Sequence, residues 1–265
     1  MADRVKGKIA LLFGGGQTPG ETIGNGRATA ILLAREGAIV GVVDRDIVSA
    51  QDTVAMIESE GGQAWAIAAD VVAEEDVAAA VQACLQRHGR IDILHNNVGA
   101  SLALGDAPAT ELEVPAFDRL YQVNLRGMWL ACKHALPAMR QQGSGSIVNI
   151  SSMAAWENYP YVGYKTTKAG VIALTQNLAA SNAEHGVRAN VILPGLMNTP
   201  MAIEARVAAG TPREEVIAGR NARVPLGRKM GSAWDVAYAS LFLHSDEAQF
   251  ITGVALPVDG GRNVG

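Results

Sequence analysis

The sequence predicts an α/β protein: one doubly wound domain over residues 1–265, built on a parallel seven-stranded sheet with helices on both faces. Three observations lead there. Short apolar runs alternate with longer amphipathic stretches along the whole chain. The apolar runs lack strict alternation, as strands covered on both faces do. Each glycine-rich or polar motif falls at or just after the end of an apolar run, which in a parallel sheet is a single edge, where ligands bind.

The first strand reads KIALLF (8–13), and Gly14, Gly15 and Gly16 follow at once. A helix is expected over 24–36. Glycine lets the backbone turn sharply and approach a pyrophosphate closely, and the free N–H groups of the helix then face the phosphates. Gly14 is the turn residue measured from the strand, and Gly20 is the alternative measured by glycine spacing. With Gly14 as the turn, GQTPGE (16–21) is an inserted bulge beside the phosphates, offering the hydroxyls of Thr18 or Thr22. Such an insertion in a loop costs little entropy.

The second strand, 38–43, runs into Asp44. An acid there accepts from the adenosine ribose hydroxyls and repels a 2′-phosphate, which favours NAD over NADP. Arg45 is the complication, since a guanidinium can pair with that phosphate. A helix over 46–60 leads to the third strand, 63–69, which ends at Asp70 and Val71. Asp70 either accepts from an adenine amino group or opens the next helix, 74–88. The fourth strand, 91–97, ends in NNVG, where Asn97 and Gly99 let the chain pass beside the cofactor.

A long helix is expected over 115–142 and the fifth strand over 145–151. The following helix, 161–185, opens with YVGYKTTKAG and holds two Tyr-x-x-x-Lys pairs, Tyr161/Lys165 and Tyr164/Lys168. That spacing places both members of a pair on one helical face. An ammonium beside a phenol stabilises the phenolate, so the pair is suited to exchanging a proton with an alcohol or carbonyl. The sixth strand, 187–193, precedes PGLMNT; a helix over 232–245 and a seventh strand over 251–258 complete the chain.

Composition narrows the function classes. The formal net charge is −4, and there is no clustered Lys/Arg footprint for nucleic acid. No apolar run reaches the ~18 residues of a membrane span. The two cysteines, Cys84 and Cys132, read as free thiols in a reducing cytoplasm. No linker, repeat or metal-ligand cluster is evident.

In order along the chain, the glycine-rich turn, Asp44, DV (70–71), NNVG (96–99), VNLRG (123–127), VNISS (148–152), YKTTKAG (164–170), NVILPGLMNT (190–199) and FITGVALPVDGG (250–261) resemble the short-chain dehydrogenase/reductase family. The resemblance covers nearly the whole length. It implies a Rossmann-type fold, NAD(P)-linked interconversion of alcohol and carbonyl, and an Asn–Ser–Tyr–Lys tetrad. Carried onto this chain, Tyr164 is the acid/base and Lys168 lowers its pKa and binds the nicotinamide ribose. Asn124 holds a water linking that lysine to solvent. The matching serine is Ser152 by its strand register, or Ser151 by its distance from Tyr164. GNGRATA (24–30) matches the family's helix start and assigns Gly24 and Asn25 to the cofactor. Pro194 and Gly195 shape the nicotinamide pocket, while Met197 and Thr199 meet the carboxamide. The implied partners are a small alcohol or ketone substrate under a lid near 196–225 and a homotetramer formed through the 115–142 and 161–185 helices. Trp156, Tyr159 and Tyr161 either suggest an apolar or cyclic substrate or pack an oligomer interface or the lid. The competing expectation is a scaffold that binds cofactor without turnover.

Overall fold

The computed structural model describes residues 3–264. Its strands are β1 (Ile9–Phe13), β2 (Ile39–Asp44), β3 (Gln63–Ala68), β4 (Ile93–Asn96), β5 (Gly145–Ile150), β6 (Val187–Pro194) and β7 (Ala255–Val258). They form one sheet in the order β3-β2-β1-β4-β5-β6-β7. Every pairing is parallel. The winding direction reverses between β1 and β4, so the chain leaving β1 emerges at the crevice where such sheets bind ligands.

β1 shows why the strands read as unbroken apolar runs. Ile9, Leu11 and Phe13 enter one core with Val77, Leu130 and Met139. Ala10 and Leu12 enter the opposite core with Ile31, Leu33 and Leu241. Successive side chains point to opposite faces, and both faces are covered.

The helices are α1 (Asn25–Arg35), α2 (Ile47–Ser59), α3 (Glu74–His88), α4 (Val114–Tyr121), α5 (Gly127–Gln142), α6 (Val162–Asn182), α7 (Pro200–Ala208), α8 (Arg213–Asn221) and α9 (Ala233–His244). α3 and α5 each stop at a glycine in the left-handed region, Gly89 (φ 72°) and Gly143 (φ 67°), a conformation that strains other residues. α9 opens with a reciprocal capping box between Ser232 and Asp235.

Three departures from the sequence reading matter. The single helix expected over 115–142 is interrupted by a π turn at Gln122–Arg126, with Asn124 inside it. The strand expected over 251–258 begins only at Ala255, because Gly253 has φ 77° and breaks the extended run. Two short helices, α7 and α8, occupy the segment after β6 that had no element assigned.

Candidate active site

Where β1 ends, Gly14 turns with φ 82°. Its N–H and that of Gly15 donate to the Val43 carbonyl at 2.8 and 3.1 Å, so the turn closes onto β2. A Cβ on Gly14 would lie 2.9 Å from Val98 Cγ2. A Cβ on Gly26 would overlap the Gly14 carbonyl oxygen and approach Asn97 Nδ2 to 2.6 Å. The first turn of α1 is therefore pressed against the turn leaving β1, and only glycine permits it. Asn97 Nδ2 donates to that same carbonyl at 3.0 Å. Gly24 caps α1 in an extended conformation without any side-chain cap, leaving first-turn N–H groups for an anionic ligand. This cradle fits a pyrophosphate. The Asn25 side-chain oxygen, buried beside it, has no hydrogen-bond partner.

The segment between Gly16 and Gly24 is held by its own side chains. Gln17 Oε1 accepts from Gly24 N at 2.9 Å, and its Nε2 donates to Thr22 O at 3.4 Å. The tip leans on the segment after β6: a Cβ on Gly20 would lie 2.9 Å from Pro200 Cβ, and Glu21 pairs with Arg213 at 3.2 Å. Thr18 is exposed and Thr22 half-buried. Beneath the turn, Arg27 is buried and donates to Thr53 Oγ1 at 2.9 Å and Ser49 O at 3.0 Å, while Thr53 donates to Gly15 O at 2.8 Å.

Asp44 accepts from Gly16 N at 3.0 Å and from Asp46 N at 3.1 Å, so the acid ending β2 also steadies the glycine turn. Arg45 is exposed. Asp70 is exposed and accepts from Val72 N at 3.0 Å, a local turn. The cap position of α3 is Ala73, so Asp70 does not cap that helix. Val71 is buried, and a Cβ on Gly127 would lie 2.8 Å from Val71 Cβ.

The residues singled out for chemistry converge beyond β4, β5 and β6. Lys168 is buried and donates to Ile150 O at 2.8 Å. A Cβ on Gly99 would lie 2.8 Å from Lys168 Nζ, so Gly99 leaves the ammonium its room. Asn124 in the π turn accepts from Ala100 N at 2.8 Å and donates to Ala100 O at 2.9 Å and Thr167 Oγ1 at 3.2 Å. Both ends of its amide are thus used to pin the chain leaving β4 against α6. At β6, Gly195 donates to Val258 O at 2.9 Å, and a Cβ there would strike Asp259. Pro194 closes β6, and Met197 and Thr199 are both buried just after it.

The two serines part company. Ser151 still belongs to the β ladder, with its N–H donating to Ile192 O at 2.8 Å, and its hydroxyl donates to Lys168 O at 2.7 Å. Ser152 accepts from Ala154 N at 3.1 Å, and its hydroxyl lies close enough to the Tyr164 phenol to favour that group's ionised form. The rival Tyr161/Lys165 pair also resolves. Lys165 Nζ donates to Glu157 O at 2.6 Å and to Ala154 O at 3.2 Å, bracing the loop instead of facing a ligand.

The phenol of Tyr164 is pushed up to about 12, chiefly by burial; Ser152 pulls it down, and Tyr159 and Asp106 raise it. Burial also pulls Lys168 down to about 7. Lys168 Nζ lies 5.6 Å from the Tyr164 ring centroid and donates a hydrogen bond to the Ile150 carbonyl, and burial disfavours the charged form of each group.

Sequence reading missed Asp106. It is buried and accepts from Gly163 N and Tyr164 N at 3.0 Å each and from Ser101 Oγ at 2.9 Å. It caps α6 from a loop 57 positions away, and no local spacing marks such a partner. Ser101 in turn lies 3.4 Å from the Tyr159 hydroxyl, and the Tyr159 ring packs 5.8 Å from that of Tyr164 and 5.5 Å from that of Tyr161. Trp156, expected with Tyr159 and Tyr161 along the substrate's path or in an interface, is 45% exposed. No helix of the described residues is long and apolar enough to cross a membrane, and no cluster of His, Cys, Asp and Glu among them is arranged to hold a metal.

Known proteins are similar to this chain in sequence and fold. Residues 21–263 match the family model described as enoyl-(acyl carrier protein) reductase. The chain is 36% identical over its full length, and that of the relative, to 2,5-dichloro-2,5-cyclohexadiene-1,4-diol dehydrogenase of Sphingobium indicum. It is 32% identical to levodione reductase of Leifsonia aquatica, covering 98% of this chain and 96% of that one. A crystal structure from Burkholderia xenovorans, described as a short-chain dehydrogenase/reductase, superposes with a TM-score of 0.94 at 39% identity, covering 99% of this chain and 98% of that one. With a matching family model, full-length relatives and the same parallel sheet, this chain belongs to the short-chain dehydrogenase/reductase family of oxidoreductases.

Proposed function

We propose that the protein interconverts a cyclic secondary alcohol and its ketone, using NAD(H), with Tyr164 as the general acid/base. The single observation that carries this is the convergence of Tyr164, Ser152, Lys168 and the Asn124 turn at the carboxyl edge of the sheet, beside the glycine cradle. The bound nicotinamide supplies or accepts hydride. What this chain contributes is position and a proton. The Tyr164 phenol is held neutral across ordinary pH and so stands as a proton donor to the oxygen of a reduced carbonyl. Ser152, its lone pair engaged by Ala154 N, offers its hydroxyl hydrogen to that same oxygen. Lys168, with its lowered affinity for protons, can replace the proton Tyr164 gives up. Asn124 holds the wall that keeps Gly99 against Lys168.

The cofactor preference rests on Asp44, whose carboxylate beside the glycine turn disfavours a 2′-phosphate while Arg45 points outward to solvent. Gly14, Gly24, Asn25, Asp70, Val71, Asn97, Gly99, Pro194, Gly195, Met197 and Thr199 make up the rest of the cofactor surface in this reading, and α7 and α8 form a substrate lid. A ring-shaped substrate is supported by the Tyr159–Tyr161–Tyr164 cluster and by relatives named for a cyclohexadiene diol and for levodione. Exposed Phe117, Tyr121 and Trp129 along α4 and α5 support a homotetramer. The test follows NADH oxidation in the near ultraviolet with a panel of cyclic ketones. Tyr164→Phe is expected to lower kcat by about 10²–10⁴-fold with NADH affinity retained. Wild type and Tyr164→Phe equally inert while NADH still binds would leave a scaffold, and tighter binding of NADPH than NADH would refute the cofactor assignment.

A further inference from the structure

Tyr159 stands between unlike charges: the Asp106 carboxylate on the Ser101 side and arginines of α7 and α8 on the other. Arg206 in α7 and Arg220 in α8 lie close enough for their charges to act on the Tyr159 phenol, whose ring packs against that of Tyr164. Arg220 reaches back across the site: its Nη2 donates to Met197 O at 3.3 Å, and its Nε lies 3.2 Å from Met230 Sδ. Arg206 donates only to Ala202 O. Among the described residues neither guanidinium pairs with a carboxylate, although neighbouring arginines do. Glu204, two positions before Arg206, faces Arg213 at 2.7 Å, and Glu157 is held by Arg262. Both arginines are half-buried. Burial, and then the charges of Arg206, Arg223 and Arg262, push the Arg220 guanidinium down to about 10. Cations withdrawn from water without a counter-charge are costly unless an anion joins them.

We propose that the substrate carries a carboxylate on the end away from its reacting carbon, and that Arg206 and Arg220 receive it. A guanidinium suits this group because its parallel N–H donors match two carboxylate oxygens. Anchoring the far end on the Tyr159 side turns the ring carbonyl toward Tyr164 and Ser152. The inference rests on the ketoreductase reading above and adds a charge requirement to it.

The experiment compares 4-oxocyclohexanecarboxylate with its methyl ester as substrates, with NADH, in wild type, Arg206→Gln, Arg220→Gln and Arg220→Lys. The readout is the acid-to-ester ratio of kcat/KM within each variant, which a general loss of folding or of lid packing leaves unchanged. Wild type is expected to prefer the acid by about ten- to hundredfold. Either glutamine variant should bring the ratio toward unity, and Arg220→Lys should restore part of it. A parallel titration measures benzoate and benzamide binding to the enzyme–NADH complex by calorimetry. If no ketone is turned over but benzoate binds tighter than benzamide in an arginine-dependent way, the charge inference stands and the ketoreductase reading falls. Acid and ester used equally well by wild type would overturn the inference while leaving that reading intact. So would a loss confined to NADH affinity, which would assign the guanidinium to the cofactor.

Discussion

Removing the Asp106 carboxylate is the sharpest perturbation the site offers. Asp106→Ala deletes three hydrogen bonds, to Gly163 N, Tyr164 N and Ser101 Oγ, all between 2.9 and 3.0 Å. Hydrogen bonds to a charged acceptor contribute about 1.5–3 kcal/mol each, and a carboxylate at a helix N-terminus adds the attraction of the helix dipole. Against this, the buried carboxylate loses its hydration, which costs several kcal/mol. What the alanine leaves behind decides the net value: the N–H of buried Gly163 without a partner and a void beside Ser101. The net loss is about 2–4 kcal/mol. For a 265-residue chain, unfolding entropy of ~2.1 cal/mol/K per residue converts that into a fall in Tm of roughly 4–7 °C. Because Tyr164 sits in the first turn of α6, kcat/KM toward a ketone substrate should also fall, by about tenfold or more. Asp106→Asn keeps the shape and one acceptor and should lie in between. The Asp106 charge also opposes ionisation of Tyr164, so either variant should move the tyrosine limb of the pH–rate profile to lower pH. Scanning calorimetry and a pH–rate series measure all three effects. A variant with wild-type Tm, kcat/KM and pH profile would refute the positioning argument.

Two other predictions follow from packing. Gly26→Ala places a methyl group on the Gly14 carbonyl and against Asn97 Nδ2, and backbone must move to admit it. NADH affinity should fall by an amount equivalent to about 1–3 kcal/mol, and fluorescence titration at wild-type affinity would contradict the cradle. His95 and His244 are fully buried, 3.3 Å apart, with His244 also 3.0 Å from Ser146 Oγ. Burial lowers His95 to about 3 and His244 well below its ordinary value, with His95 and Arg188 adding to the latter. Both rings are neutral when folded and protonate near pH ~6.5 only when unfolded, so their contribution is complete above that pH and drains away as pH falls toward the folded values. Between pH ~7.5 and ~5.5 the pair should cost about 3 kcal/mol, read from urea midpoints and absent in a His95→Asn/His244→Asn variant. An NMR titration of the folded protein with either ring protonating near pH ~6.5 would contradict it.

The alternation of apolar runs was enough to indicate a parallel sheet, because a strand covered on both faces is apolar at most positions, and all of β1 is buried. Glycine-rich and polar motifs at strand ends fall together along one edge of that sheet. Tyr164 and Lys168 were recognisable by a local spacing that one turn of helix imposes. Other decisions needed residues remote in sequence. Ser151 and Ser152 are indistinguishable as letters. The β ladder reaches Ser151 and directs its hydroxyl to Lys168 O, so the next residue, on the opposite side of an extended chain, meets Tyr164. Spacing marks the lysine beside the tyrosine, but the burial that shifts both groups belongs to the packed whole. Asp106 and the arginines of α7 and α8 carried no signal at all. Their partners are brought together by loop closure and by the packing of elements far apart in the chain, and no period or motif in the sequence encodes a meeting of that kind.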